Sequence, residues 1–380
     1  MINTVMKIIL SILISFLLTV EANAQQLNLD VKQLMRTYKV PVLGYAIINN
    51  NKIIEAKTVS INPNINVDNQ TIFQAASISK TLTTYAALKL VSENKIKLDQ
   101  PANDYLKTWK IKPNQYTQKQ PVLIRNLMDM TSGLSVSGFP GYQRGLKLPS
   151  NIQILNGDKP SNTPKIDVFY TPGSRYFYSG GAFQVLQQVI SDVSKKNFND
   201  FMNKQVLQKI GMTNSIYEYP LKNEKLLSRA AIAYTGWDGK EVPGGWHNYA
   251  CSGAGGMWST PSDLAKFAIN VSQSFRGNPK GFLPKKVATE MLTRQKSTDF
   301  GLGVVVAGKG KGLYFRKEGH NYGYHSLIIM FPNTGKGMVI MTNSETGDIV
   351  INYLVAYVAH KFNWPYYFPF FDELVKIPNI

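Results

Sequence analysis

A serine and a lysine three residues apart open a predicted helix in the first quarter of the chain. They are Ser77 and Lys80, in the stretch Phe73–Lys89, FQAASISKTLTTYAALK. Residues three apart on a helix share one face. The lysine amine can therefore take the serine proton, provided that burial or a neighbouring cation lowers its pKa. The N–H of a serine on the first helical turn can also stabilise an oxyanion, supported by the helix dipole. The pair therefore predicts a nucleophilic serine.

The spacing alone is a weak signal, because Ser92 and Lys95 repeat it. That second pair falls where the helical pattern ends, so it indicates a solvated turn. Other hydrolase signatures are missing, since the sequence contains neither Gly-x-Ser-x-Gly nor His-Glu-x-x-His. Ser77 is therefore the preferred nucleophile.

Metal and thiol chemistry receive little support from the sequence. The four histidines, His247, His320, His325 and His360, belong to different predicted elements, so their spacing predicts no metal cluster. Cys251 lies in a run of small residues, ACSGAGG, and nothing nearby marks it as activated. We interpret it as a buried, inert thiol.

The composition excludes several protein classes. The chain has 380 residues, one cysteine, and 42 Lys+Arg against 24 Asp+Glu, for a net charge of +18. A single cysteine cannot form an intramolecular disulfide framework or a cysteine-rich zinc module. The basic residues are scattered singly and in pairs, without aromatic interleaving, which favours a solvated basic surface over nucleic-acid binding. Weak attraction to an acidic cell envelope is the most that this charge predicts.

Residues 1–24 resemble a secretory signal peptide. Lys7 precedes an apolar stretch over 8–20, and Ala22-Asn23-Ala24 supplies a small-x-small cleavage pattern before Gln25. The apolar stretch is shorter than the ~20 residues that a membrane-spanning helix needs. We therefore expect an exported protein, periplasmic or secreted, with no membrane span after cleavage. Residues 25–380 would then form the functional domain.

The ends of the chain have β patterns and the middle has helical ones. Runs at 42–48 and 53–59 flank a turn-forming Asn-Asn-Asn and predict a hairpin. Further β runs at 303–307, 313–316, 325–331 and 337–342 precede a helical pattern at 349–362. Helical spacings occur at 79–92, 183–193, 198–210 and 261–272. The sequence predicts an antiparallel sheet from about 40–60 and 300–365, flanking helices, and an inserted mainly helical region over about 80–290.

The motifs together resemble the serine β-lactamase and penicillin-binding protein superfamily, in particular its class C-like branch. After Ser77-x-x-Lys80, the stretches that carry the resemblance follow in the family's order: Val91–Leu106, Ile124–Leu134, Thr171–Gly173 with Phe177–Gly181, Ile210–Met212, and Gly255–Ala265. The resemblance covers roughly residues 30–360. It implies an α/β (α+β) fold of the β-lactamase/transpeptidase-like type.

The resemblance also implies a second catalytic element, the family's Tyr-x-Asn, at Tyr178-Ser179-Gly180. A Tyr178 phenolate with a pKa lowered by nearby lysines would act as general base on Ser77 and then as acid toward the leaving group. Gly180 replaces the family's Asn, which helps to hold a substrate amide. This departure argues against efficient β-lactam hydrolysis.

The third element, Lys-Thr-Gly in the family, aligns with Lys317-Glu318-Gly319, followed by His320-Asn321. Lys317 would lower the tyrosine pKa and orient substrate, and the His320 N–H would join that of Ser77 in the oxyanion hole. Glu318 replaces a hydroxyl that would meet a substrate carboxylate, so a free C-terminal carboxylate is less expected unless Glu318 points away. A rival alignment places His320 in the Lys/His position but loses the register of Asn321.

The resemblance implies an exported serine hydrolase that forms an acyl-enzyme at Ser77 and needs no metal or organic cofactor. Its substrates would be small peptides or esters, with peptidoglycan stem peptides of the D-Ala-D-Ala type and β-lactams as candidates. An esterase or D-aminopeptidase is the alternative, followed by a class C-like β-lactamase. A catalytically inert binding or sensing module also stays open.

Overall fold

Strands from both ends of the chain form one antiparallel sheet in the computed structural model, which describes residues 29–295 and 298–365. The strands are β1 (Val42–Asn49), β2 (Lys52–Ser60), β3 (Phe73–Gln74), β4 (Tyr142–Gln143), β5 (Ile216–Tyr217), β6 (His247–Asn248), β7 (Met257–Ser259), β8 (Val305–Ala307), β9 (Tyr314–Asn321), β10 (Tyr324–Phe331) and β11 (Lys336–Thr342). The six-stranded sheet has the order β2-β1-β11-β10-β9-β8, and two small sheets, β3-β7-β5 and β4-β6, lie beside it.

The sequence explains both the hairpin and the centre of this sheet. Asn50 and Asn51 join β1 to β2 with φ of 50° and 56°, a left-handed conformation that asparagine tolerates better than most residues. β1, β10 and β11 are almost continuously buried. Their sequences are correspondingly apolar along their whole length, as expected for strands covered on both faces.

Helices provide that cover and fill the middle of the chain. They are α1 (Val31–Thr37), α2 (Ile78–Ser92), α3 (Ala102–Tyr105), α4 (Ile124–Met128), α5 (Asn151–Asn156), α6 (Gly180–Ser194), α7 (Phe198–Phe201), α8 (Glu224–Leu227), α9 (Ser252–Gly255), α10 (Pro261–Phe275), α11 (Lys285–Met291) and α12 (Gly347–Lys361). A π-helix (Met202–Leu207) and 3₁₀-helices (Gln208–Ile210 and Gly310–Gly312) complete the set. α10 packs on β1, β10 and β11, and α12 packs on β10 and β11.

α2 lies between the sheet and the helical region. Twelve of its 15 residues are buried, and it contacts α6, α9, β9 and β10. Its sequence carries Thr, Ser and Ala around its circumference instead of a charged outer face, as expected for a helix that is enclosed on all sides. The residues at its N-terminal end are therefore held by several elements at once.

The predicted fold class is confirmed: the protein is a mixed structure with an antiparallel sheet from both chain ends, flanking helices and an inserted mainly helical region. Two element boundaries were wrong. β9 continues five residues beyond the predicted 313–316, because it stays paired with β10 as far as Asn321. Its buried inner face there carries Lys317, Gly319 and Asn321, which give no apolar pattern. The helix predicted over 198–210 divides into α7, the π-helix and a 3₁₀-helix.

The predicted signal peptide lies outside the described residues, so the proposed domain division stays a prediction. None of the described helices is long and apolar enough to span a membrane.

Candidate active site

Ser77 stands at the N-terminal end of α2, with its hydroxyl beside the amine of Lys80. The Nζ atom of Lys80 lies 3.0 Å from Ser77 Oγ and donates a 2.7 Å hydrogen bond to the carbonyl oxygen of Ala254. Burial lowers the pKa of Lys80; negative charge on Tyr178 opposes this shift, and the positive charge of Lys317 adds to it. A buried amine with a lowered pKa is suited to exchange a proton with the serine hydroxyl.

A strained backbone position places Ser77 at the end of the helix. The Ala75 N–H donates to the carbonyl oxygen of Met257, which extends the pairing of β3 with β7 by one residue. Ala76 then adopts φ +48°, a left-handed conformation that is costly for a residue with a β-carbon. The Ser326 hydroxyl donates a 3.0 Å hydrogen bond to the Ala75 carbonyl from β10. Such strain is characteristic of functional sites, where surrounding contacts maintain it.

Tyr178 lies between two lysines immediately before α6. The Nζ atoms of Lys80 and Lys317 are 5.2 Å and 5.3 Å from the centre of its ring, and its hydroxyl hydrogen-bonds with Ser77 and Lys80. Burial alone would raise the pKa of Tyr178, but the two lysine charges and these hydrogen bonds lower it to about 7. Tyrosinate is therefore accessible at neutral pH, beside the hydroxyl that must lose a proton.

Lys317 reaches Tyr178 from the free edge of β9. β10 pairs with one edge of β9 along Lys317–Asn321. β8 pairs with the other edge only over Tyr314–Arg316, so among the described residues no strand covers that second edge from Lys317 to Asn321. The Lys317 side chain is 5% exposed, and its Nζ donates a 2.6 Å hydrogen bond to the Glu318 carbonyl. Lys317, and not the His320 side chain of the rival alignment, thus lies beside Tyr178.

Gly319 allows this edge to approach the start of α2. A β-carbon on residue 319 would lie 2.3 Å from both the Ala75 carbonyl oxygen and Ser326 Oγ, far inside van der Waals contact. Only glycine permits this separation. The same approach brings the backbone of His320 toward Ser77, where the two N–H groups are the predicted oxyanion hole.

Replacing Lys317 with methionine is expected to move the pH dependence of catalysis upward. The Lys317 charge lowers the pKa of Tyr178, and in the predicted mechanism the unprotonated phenolate accepts the serine proton. The activity of the wild type should therefore rise with pH through about 7; we call this rise the acid limb of the pH profile. Without the charge, the acid limb should lie at a pH about one unit or more higher.

The measurement is kcat/KM against pH with a chromogenic ester. Lys311→Met, at an exposed lysine on the same segment of chain, is the control and should not change the pH at which the acid limb lies. An unshifted limb in a folded Lys317→Met variant would show that Lys317 does not act on the titrating group.

The remaining predicted residues line the same cleft, which has a volume of about 1040 Å³. The Asn321 side chain donates to Gln74 Oε1 at 2.8 Å and to the Gly255 carbonyl at 3.1 Å. Both of its donors are therefore used to tie β9 to its neighbours. The imidazole of His320 lies on the outer face of the sheet, 3.1 Å from a carboxylate oxygen of Glu345. Any contact of His320 with the reacting carbonyl would thus come from its backbone.

Comparison with known families agrees with this geometry. The family model described as Beta-lactamase matches residues 27–359, most of the chain. The chain belongs to the beta-lactamase family. Members of this family are generally serine hydrolases, and the serine, lysine, tyrosine and lysine that its pattern predicts converge on one cleft in this protein.

Curated relatives in the beta-lactamase family are distant. Protein flp of Staphylococcus aureus (strain MRSA252) is 20% identical over 336 residues, which cover 84% of this chain and 62% of that protein. The chain thus spans less than two thirds of the length of Protein flp. The D-alanyl-D-alanine-carboxypeptidase/endopeptidase AmpH of Escherichia coli (strain K12) is 22% identical over 320 residues, or 80% of this chain and 79% of that protein.

Solved structures show the same beta-lactamase fold. A penicillin-binding protein homologue from Pyrococcus abyssi superposes with a TM-score of 0.69 at 22% identity, over 88% of this chain and 78% of that one. A beta-lactamase/D-alanine carboxypeptidase from Yersinia pestis gives a TM-score of 0.64 at 20% identity, over 87% of this chain and 98% of that one. At these identities the likeness establishes the fold.

The structure explains why glycine stands at position 180 in place of the beta-lactamase family's asparagine. A β-carbon on residue 180 would lie 2.8 Å from the Phe139 ring and 3.0 Å from the Ser137 carbonyl oxygen. The loop 137–140 thus occupies the space that a larger side chain would need, and it lines the cleft. Sequence reasoning missed this loop, because no motif marks it.

Glu318 has a neighbour that the sequence analysis also missed. Arg316 lies 3.0 Å from the Glu318 carboxylate, and both side chains are partly exposed in the cleft. The two residues are two apart on β9 and therefore share one face of the strand. Extending the predicted strand to residue 321 would have revealed the pair. The arginine offsets the negative charge that Glu318 places in the cleft.

Cys251 lies in the wall of the cleft, but its thiol is unreactive. It is buried, and burial raises the pKa of its thiol to about 12, an effect that the charge of Lys80 partly opposes. The thiolate required of a nucleophile is therefore scarce at neutral pH. This agrees with the interpretation of Cys251 as an inert thiol.

Proposed function

We propose that the chain is an exported serine hydrolase that cleaves D-Ala-D-Ala-type cell-wall peptides through an acyl-enzyme at Ser77. The observation that carries this proposal is the arrangement of four groups: the Ser77 hydroxyl 3.0 Å from the buried Lys80 amine, and Tyr178 between Lys80 and Lys317 with a pKa near 7. Such a set holds a nucleophile and its bases in hydrogen-bonding range.

The proposed reaction has two halves. Ser77 Oγ attacks the carbonyl carbon while its proton passes to the Tyr178 phenolate, with Lys80 sharing the hydrogen-bonded network. The backbone N–H groups of Ser77 and His320 stabilise the oxyanion. The proton then moves to the leaving amine or alcohol as its bond to the carbonyl carbon breaks. Water, deprotonated by the same groups, then attacks the acyl carbon; as the bond from that carbon to Ser77 Oγ breaks, the proton returns to Ser77 Oγ and the acid is released.

Charge and similarity support a cell-wall peptide as the substrate. A signal-like N-terminus, a net charge of +18 and two distant relatives named for D-alanine carboxypeptidase activity support a cell-wall peptide. Lys317 and Arg316 also place positive charge in the cleft, which suits a peptide ending in a carboxylate. The Arg316–Glu318 pair reduces the repulsion that Glu318 would otherwise exert on that group.

An esterase or D-aminopeptidase is the second candidate, because two positions depart from the peptide-holding pattern. Gly180 offers no amide for the substrate, and the Phe139 ring fills the adjacent space. Glu318 still presents a carboxylate whose side chain is 52% exposed. The first feature weakens the hold on a substrate amide, and the second disfavours a substrate with a free carboxylate.

Glu318→Thr discriminates between the two candidates. The change removes a negative charge, supplies a hydroxyl and releases Arg316 for a substrate carboxylate. We expect kcat/KM for a D-Ala-D-Ala peptide to rise by about fivefold, the size of an exposed charge interaction, with no rise for a short neutral ester. Unchanged peptide turnover by a folded variant would favour the second candidate.

The proposed nucleophile is tested by intact-protein mass after incubation with a penicillin. A stable adduct of one drug mass, absent from Ser77→Ala, would support acylation at Ser77 and slow deacylation. Consumption of the drug without an adduct would indicate a β-lactamase. An unmodified protein with intact drug would favour the esterase or D-aminopeptidase.

Export is tested separately by N-terminal sequencing of protein recovered from outside the cytoplasm. We expect the mature chain to begin at Gln25, since Ala22-Asn23-Ala24 precedes it. A chain that keeps residues 1–24 would contradict the proposed signal peptide without affecting the proposed chemistry.

A further inference from the structure

Two histidines that the sequence analysis assigned to different elements face each other across β9 and β10. His320 and His325 are directly paired residues of these strands. Their rings are stacked, with centres 4.3 Å apart and planes inclined by 11°. Glu345, which follows β11, brings a carboxylate oxygen to 3.1 Å from Nε2 of His320. One ligand atom from each of the three residues lies within 4.8 Å of the others.

The donor atoms of this cluster are held by neighbouring groups. The His325 ring is hydrogen-bonded to the backbone of Glu345. Its Nε2 atom is buried and has no hydrogen-bond partner among the described residues. The Gly323 N–H donates to Oε1 of Glu345. Histidines that bind metals commonly have one ring nitrogen fixed by a backbone or carboxylate group while the other binds the ion, and their carboxylate co-ligands are likewise hydrogen-bonded.

We propose that His320, His325 and Glu345 form a binding site for a divalent transition-metal ion, with Zn²⁺ as the best match. Two imidazoles and one carboxylate are a common zinc donor set, and tetrahedral coordination leaves a fourth position for water. Ligand atoms bonded to zinc at ~2.0 Å lie about 3.3 Å apart, so the cluster contracts on binding. The His320 ring, whose side chain is 58% exposed, turns out of the stack to direct its nitrogen at the ion.

The location gives the site a consequence for the cleft, where all three residues lie. A bound ion joins β9 to β10 at His320, the residue whose backbone N–H is assigned to the oxyanion hole. It therefore stiffens that edge of the site. This consequence rests on the proposed function, but ion binding does not, so the two can fail independently.

The test is a Zn²⁺ titration of the mature chain, without a histidine tag and after removal of bound metal by a chelator, in competition with a chromophoric indicator. We expect one equivalent to bind. His325→Ala and Glu345→Gln should each weaken binding by at least about tenfold. His360→Ala, which removes a histidine from the far end of α12, is the matched control and should bind as the wild type does.

Co²⁺ provides a second readout that does not depend on enzyme activity. Visible absorption bands of nitrogen-coordinated Co²⁺ should appear with the wild type and with Ser77→Ala, and should be lost in His325→Ala. Circular dichroism establishes that each variant is folded; if His325→Ala is not, Glu345→Gln decides alone. No stoichiometric Zn²⁺ binding by the wild type, or wild-type affinity in the deciding variant, would overturn the proposal.

Discussion

Ser77→Ala is expected to lower kcat/KM by at least about 10⁴-fold, because it removes the proposed nucleophile from catalytic residues that act as a unit. The Ser77 hydroxyl is hydrogen-bonded to Lys80 and Tyr178, and neither of these can form the acyl-enzyme in its place. The fold should persist, since a single hydroxyl is lost at the edge of a cleft. The measurement is turnover of a chromogenic ester together with labelling by a penicillin.

The chain contains a matched control for this experiment. Ser92 also precedes a lysine, Lys95, by three residues, but its hydroxyl donates to the Lys89 carbonyl at the end of α2, and Lys95 pairs with Glu93. Ser92→Ala should therefore leave turnover unchanged. Wild-type activity in Ser77→Ala would remove Ser77 from the mechanism. A biological role that persists in that variant, in a protein without measurable turnover, would indicate a binding or sensing module.

Tyr178→Phe is expected to lower kcat/KM by about 10²- to 10⁴-fold, the range of general acid–base catalysis. Phenylalanine preserves the ring between the two lysines and removes only the hydroxyl. The variant should also lose the rise in activity near pH 7, because the group with that pKa is absent. The pH profile separates loss of a base from loss of packing, since a packing defect would lower the rate at every pH.

Tyr176→Phe is the control for this second variant. Tyr176 is two residues away, is 42% exposed and packs its ring against Phe300. Burial raises the pKa of Tyr176, so it is not ionised near neutral pH. Its removal should change turnover little. A Tyr178→Phe variant that keeps both its rate and its acid limb would transfer the role of base to Lys80.

Of the four proposed catalytic residues, two are close together in the sequence and two are far from them. Ser77 and Lys80 are within one helical turn, so their proximity follows from local backbone geometry. Tyr178 and Lys317 are about 100 and 240 residues away from Ser77. Their proximity depends on how α6 and β9 pack against α2, which no local pattern specifies. They could be assigned from the sequence only through the order of the family's motifs.

The sequence by itself determined the hairpin of β1 and β2, the helix that begins after Ser77, the sheet from both chain ends and the family. These follow from periodicity, turn chemistry and motif order, all of which are readable along the chain. The tertiary structure was needed to bring Lys80 and Lys317 to either side of Tyr178, and to reveal the contact that requires Gly319, the loop packed against Gly180 and the facing histidines on β9 and β10. The first three depend on distances between segments remote in sequence, because burial and electrostatic interactions act through space and not along the chain. The two histidines are only five residues apart, and they face each other because β9 continues far enough to pair His320 with His325.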